Sequence, residues 1–263
     1  MQQRDVVIIG GGPAGRVIVH ALHSQNSSKS VTLIKDEEIN VNRCAVPYGI
    51  SDNKPIEKFK IPNKLVTDFG AELVVYRAVK IDTNRKQVHT QNGQSYGYQD
   101  LVLATGSKPL VPPIAGVDLA GVTPVRSLKD LVTLRGFAVL SVGVVPNIEL
   151  AAEAGIQTSS LGIVTDQHLR TSAVGVYAAG DCAEKKSFIT QKPTRGEFGT
   201  NAVFMAKVVA QNMMGRNKVF PGIINANATT VYDWSIGSSG LTEKMAMDAG
   251  LNVVSGYSEV LDK

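Results

Sequence analysis

The chain has 263 residues, 43% of them hydrophobic and 19% charged, enough for one large core or two smaller ones. Its 27 basic and 23 acidic residues leave a net charge of +4 with no long Lys/Arg run, which argues against nucleic acid or anionic lipid as a partner. The two cysteines, Cys44 and Cys182, belong to no CxxC pair, so neither a disulfide framework nor a structural zinc site is expected.

The N-terminus MQQRDVVIIGGG enters an apolar run without a signal-peptide pattern, and no apolar stretch is long enough to cross a bilayer. A cytoplasmic protein with no membrane partner is the expectation. Residues 5–10 read as a strand buried on both faces, GGGPAG as a turn, VIVHALHSQ as a helix and VTLI (31–34) as a second strand. This order predicts an α/β fold with a parallel sheet and crossover helices. From 79 to 105, short alternating segments (VKIDT, KQVHT, QSYGY) separated by polar turns such as Asn92-Gly93 predict an inserted antiparallel meander. LVLATG (101–106), FAVLSVG (137–143) and GVYAAGD (175–181) read as further strands ending in glycine, and Phe198–Met214 as a helix stopped by Gly215.

Three turns carry chemistry. Gly10-x-Gly12-x-x-Gly15, with Pro13 and Ala14 inside it, follows a strand and opens a helix. That context suits glycines that let a pyrophosphate approach the backbone at the positive end of a helix. A ribose-binding acid is expected about 20 positions on. Lys35 stands there, followed by Asp36, Glu37 and Glu38. Either one of these acids takes the role in a shifted register, or Lys35 meets the adenosine end differently, or the lysine selects a phosphate. The second turn is Ala104-Thr105-Gly106 after Asp100. The third is Gly180-Asp181, whose carboxylate either faces a ribose or ribitol hydroxyl or caps a helix.

Taken in this order, GGGPAG, ATGSKP and VYAAGD resemble the pyridine nucleotide–disulfide oxidoreductase family, from Asp5 to about Gly250. The resemblance implies an FAD-binding Rossmann-like domain. It places Gly10, Gly12 and Gly15 at the pyrophosphate, Thr105 and Gly106 near the second turn and Asp181 at the ribitol, with Ala104 and Gly180 beside them. Within the family, Arg43-Cys44-Ala45-Val46-Pro47-Tyr48 has one cysteine and is similar to the coenzyme A-disulfide reductase and NADH oxidase branch. The resemblance makes Cys44 the catalytic thiol, against the alternative of a small buried packing residue, and small-molecule disulfides, oxygen or peroxide are the expected acceptors. Arg43 and a helix start beside the thiol would lower its pKa. The peroxidase members often carry a histidine in the glycine loop, where this chain has Pro13 and Ala14. Cys182 reads as packing, and His20, His23, His89 and His168 as structural or surface residues.

Intact relatives carry a second dinucleotide fold for NAD(P)H, yet this sequence has one GxGxxG. Residues 122–136 resemble the approach to that insert and 137–155 the return, joined directly. The expected organisation is a first part of the FAD domain over 1–136, a second over 137–221 and the start of a shortened dimerisation domain over 222–263. Trimming and natural loss both give such a chain, and the clean splice favours trimming. NAD(P)H is then a cofactor of an intact family member only, and the family's homodimer is doubtful here. The alternatives are a flavin module that docks on a partner and catalyses nothing alone, and a plain NAD-binding domain.

Overall fold

The computed structural model of the chain describes residues 2–41, 43, 55–119, 122, 143–231 and 234–258. The chain folds as two compact units, residues 1–184 with 197–220, and residues 185–196 with 221–263.

In the first unit, β1 (Gln2–Ile9), α1 (Pro13–Ser24) and β2 (Val31–Lys35) form the strand–helix–strand unit that the sequence predicts. β3 (Asn40–Val41) pairs antiparallel with β4 (Lys60–Ile61), and a short α2 (Lys64–Thr67) leads into β5 (Glu72–Val75). The meander follows as β6 (Ala78–Asp82), β7 (Gln87–Thr90) and β8 (Ser95–Leu103), then β9 (Ser107–Pro109). β10 (Val144–Pro146) pairs antiparallel with β9; α3 (Glu149–Glu153), β11 (Thr158–Ser159), β12 (Gly162–Ile163) and β13 (Val176–Ala178) come next.

The sheet runs β5-β2-β1-β8-β7-β6, with β13 also on β8. Its parallel part is β5, β2, β1, β8 and β13. Val6, Val7, Ile8 and Ile9 of β1 are buried on both faces, as an interior parallel strand requires. α1 lays Ala14, Ile18, Val19 and Leu22 inward and packs on α4 (Gly199–Met213). α4 buries Ala202, Met205, Ala206, Val209 and Met213. Each fully buried aliphatic side chain in this core contributes about 1.5–3 kcal/mol.

The sequence reading separates QSYGY from LVLATG, but they form one strand. The lower half of β8 pairs antiparallel with β7 (Gln87↔Gly97, Val88↔Tyr96), and its upper half pairs parallel with β13 (Val176↔Leu101, Ala178↔Leu103). The polar step Gln99-Asp100 does not break it. Asp100 receives Lys29 Nζ at 3.3 Å, and Leu101 N donates to Gly175 O at 2.8 Å. Residues 137–142 of the predicted FAVLSVG strand, and Cys44 with its flanking residues 45–50, lie outside the described residues.

The second unit holds β14 (Lys185–Lys186) paired with β15 (Pro193–Thr194), the hairpin of β16 (Ala226–Val231) and β17 (Trp234–Ser239), and α5 (Glu243–Asp248). It takes in 185–196 as well as the expected C-terminal segment. Ser187 bridges Ile223, and Asn225 Nδ2 donates to Arg195 O at 2.8 Å.

Candidate functional site

Three turns converge at the carboxyl ends of β1, β8 and β13, where open parallel sheets bind ligands. Gly10 has φ +122°, which L side chains rarely adopt, and a Cβ there would lie 2.0 Å from Ala104 O. The first turn therefore leans directly on the second. Ile9 O accepts from Ala104 N, and Leu103 O accepts from Ala179 N, at 2.8 and 3.0 Å. A Cβ on Gly180 (φ +84°) would lie 3.1 Å from Ala14 Cβ and 3.5 Å from Ala202 Cβ, so the third turn leans on both helices. Gly15 allows the opposite contact, because a Cβ there would sit 2.0 Å from Gly10 O.

Gly12 differs from its neighbours. A Cβ on it would meet nothing within 4 Å. It is the N-cap of α1, with Pro13 at the first helical position, no side-chain cap and no acidic residue in the first turn. Open space in front of an uncapped helix N-terminus is what an approaching diphosphate needs. Arg16 and Lys35 stand near this turn. Arg16 Nε is 3.4 Å from Gly12 O, and a Cβ on Gly11 would lie 2.9 Å from Lys35 Cδ. Burial pushes the pKa of both cations down, and a bound anion would offset that cost.

Lys35 is only 4% exposed, and its ammonium donates to Asn63 Oδ1 at 2.6 Å and to Glu38 O at 3.1 Å. Its charge is spent on the protein's own acceptors. Asp36 is exposed just beyond β2. Arg43 is exposed and pairs with Glu37 Oε1 at 2.9 Å, so this cation already has a carboxylate partner.

The second turn is held by a residue that the motif reading missed. Asn147 Nδ2 donates to Thr105 O (2.8 Å), Asn147 N donates to Gly106 O (2.9 Å), and Thr105 Oγ1 donates to Asn147 O (2.8 Å). Ser107 Oγ donates to Asp181 Oδ2 at 2.9 Å, linking the second turn to the third. No helix follows Asp181 before Gly199, which removes the helix-cap reading of its carboxylate. Cys182 is fully buried, its thiol 3.3 Å from Leu103 O and 3.5 Å from Ala179 O.

The histidines lie elsewhere. His20 meets Phe69 edge-on and His23 meets it at a tilt, His89 Nδ1 meets Ser95 Oγ at 2.8 Å, and His168 Nδ1 donates to Lys218 O at 2.9 Å. Among the described residues, no cluster of His, Cys, Asp and Glu could hold a metal ion, and no helix is long and apolar enough to cross a membrane.

The chain is similar to several known oxidoreductases. The chain is 25% identical to an NADH oxidase of Methanocaldococcus jannaschii, over 98% of this chain and 80% of the relative. That alignment runs over 362 positions, 99 more than the 263 residues present here. A CoA-dependent NAD(P)H sulfur oxidoreductase of Pyrococcus abyssi is 24% identical over 97% of this chain and 79% of the relative. Among solved structures, an NAD-dependent persulfide reductase from A. fulgidus superposes with a TM-score of 0.84 at 24% identity, covering 94% of this chain and 66% of that one. The model of the pyridine nucleotide-disulphide oxidoreductase family matches in two segments, residues 4–136 and 136–206. The chain belongs to the pyridine nucleotide-disulphide oxidoreductase family.

Proposed function

We propose that this chain binds FAD across its three turns and serves as the flavin-carrying part of an NAD(P)H-dependent oxidoreductase whose acceptor is a small disulfide, a persulfide or oxygen. The observation that carries the reading is the convergence of the turns, with Gly12 left facing open space at an uncapped helix N-terminus. Gly10, Gly11 and Gly12 would meet the diphosphate, Thr105 and Gly106 the middle of the cofactor, and Asp181 the ribitol hydroxyls. When bound, the flavin supplies hydride acceptance and onward electron transfer. The protein's own groups bind and orient it. The first-turn amides of α1 favour the phosphate charge, Ser107 fixes the rotamer of Asp181, and Asn147 keeps the 105–106 backbone in place.

Cys44 is the proposed redox thiol, carried by the single-cysteine resemblance. The relatives' names, NADH oxidase and CoA-dependent sulfur oxidoreductase, support the acceptor class. The 136/137 junction is proposed as the point where the NAD(P)H-binding insert is absent. The two family segments that meet at residue 136 support this, as do the 99 surplus alignment positions. FAD titration followed by absorption and fluorescence tests the first part, and a chain that takes up no FAD would end it. Steady-state NADH oxidation tests the second. Saturable turnover at micromolar NADH would show that the missing module is not required.

A further inference from the structure

The residue where a ribose-binding acid is expected, Lys35, is closed off. Its ammonium, Asn63 and the Glu38 carbonyl form a bracket, with Asn63 Nδ2 also donating to Glu38 O at 3.2 Å. Beyond that bracket β3 is fixed by pairing with β4, Asn40 opposite Ile61 and Val41 opposite Lys60. Pairing with β4 fixes the backbone of Asn40, and its side chain lies beside the glycine turn.

Asn40 is 7% exposed. Its Oδ1 and Nδ2 lie 3.0 and 3.4 Å from the point that a Cβ on Gly11 would occupy. Nδ2 is buried and has no hydrogen-bond partner among the described residues. Buried amide donors are almost always satisfied, and one that is not satisfied by protein points to a missing acceptor. The position indicates which acceptor. In the order β2-β1-β8-β13, Asn40 flanks the turn on the β2 side, and Asp181 lies on the β13 side. A dinucleotide lying across the turn puts its adenosine end on the β2 side.

We propose that Asn40 is a dinucleotide-binding residue whose Nδ2 donates to a phosphate or ribose oxygen of the adenosine diphosphate half of FAD, taking the recognition role that a carboxylate at position 35 would fill. The proposal rests on the FAD reading above. A neutral amide suits this place. It supplies a donor without another cation beside the desolvated Lys35 and Arg16, and it presents no carboxylate to the phosphates.

The test uses the chain as it stands, with Asn40→Asp and Asn40→Leu, and measures affinity for FAD, ADP and riboflavin together with the ligand-free thermal midpoint. Asn40→Leu removes the unsatisfied donor. Its ligand-free midpoint should hold or rise, while its Kd for FAD and ADP rises about tenfold, the worth of one hydrogen bond. Asn40→Asp should weaken both ligands further through repulsion of the diphosphate. Riboflavin, which lacks that half, should bind all three proteins alike. Unchanged FAD and ADP affinities in both variants would overturn the proposal. So would losses that extend equally to riboflavin, or that follow a fall in the ligand-free midpoint, because those mark a structural role. A parent chain that takes up no FAD would sink the FAD reading itself, whatever the variants do.

Discussion

Gly12→Ala separates ligand approach from fold integrity at one atom. Gly12 has φ −72° and ψ −171°, a conformation open to alanine, and the added methyl would touch nothing within 4 Å. Two small terms act on the ligand-free chain. Restricting the unfolded backbone stabilises by about 0.4–1 kcal/mol, and replacing glycine by alanine at an N-cap costs a similar amount. They offset, so the ligand-free denaturation midpoint should stay within about 0.5 kcal/mol of the parent. The methyl occupies the space through which a diphosphate reaches the turn. Displacing that group by even part of a van der Waals radius should cost about 1.4 kcal/mol or more, a tenfold or greater rise in Kd for FAD. Urea denaturation without ligand and fluorescence titration with FAD measure the two quantities on one sample. Unchanged FAD affinity would refute the placement of the diphosphate over Gly12. A large loss of ligand-free stability would refute the claim that the space in front of it is empty.

Gly15→Ala should behave in the opposite way. Its Cβ would meet Gly10 O at 2.0 Å, so the turn must shift and the ligand-free chain should lose about 2–3 kcal/mol or more by denaturation, despite alanine's better helix propensity. Asn147→Ala deletes the side-chain bond to Thr105 O and should cost about 1 kcal/mol, while FAD affinity falls with it because the 105–106 turn loosens. Ser107→Ala frees the Asp181 carboxylate from one donor and should weaken FAD several-fold with little change in the ligand-free midpoint. Asp166 provides a pH test. Burial pushes its pKa up, but the backbone N–H groups of Arg170 and His168 and the Arg170 guanidinium outweigh that and hold it below the usual carboxylate value. A depressed folded pKa means that its stabilisation is complete above the unfolded value, about pH 4, and is lost as the pH falls through the folded value. Asp166→Asn should therefore flatten stability against pH below about pH 4 and leave the neutral plateau shape unchanged.

What was legible in the sequence was local. The glycine turn, its strand and its helix are contiguous, so spacing and apolar periodicity reveal them without knowledge of the fold. The supports of the site are not contiguous. Asn147 is 42 residues from Thr105, and Ser107 is 74 from Asp181. A single Asn or Ser has no pattern to betray such a contact. Asn40 is closer in sequence, but its role depends on the β3–β4 ladder, which two-residue strands do not announce. QSYGY and LVLATG read as separate segments in the sequence, but both belong to β8. The strand continues because its partner changes from β7 to β13 along its length, and Gly97 is small where Gln3 Oε1 would come within 2.1 Å of a Cβ.

This shared strand also explains why a parallel nucleotide-binding sheet can carry an antiparallel meander without disturbing its ligand end. β8 makes its meander pairs at Ser95, Tyr96 and Gly97, and delivers Ala104, Thr105 and Gly106 at its far end, where its neighbours are β1 and β13. Tyr96 and Tyr98 anchor the lower half in the core, at 1% exposure each. Burial pushes the Tyr98 hydroxyl up to about 12, so it remains a neutral packing group throughout the working pH range. Strain or exchange in the β6–β7 hairpin is thus separated from the ligand turns by a fully buried stretch, Leu101 to Leu103, paired on both sides. Substitutions at the hairpin tip, Asn84 or Arg85, should accordingly leave FAD affinity unchanged. A measurable effect there would mean that the two halves of β8 are mechanically coupled.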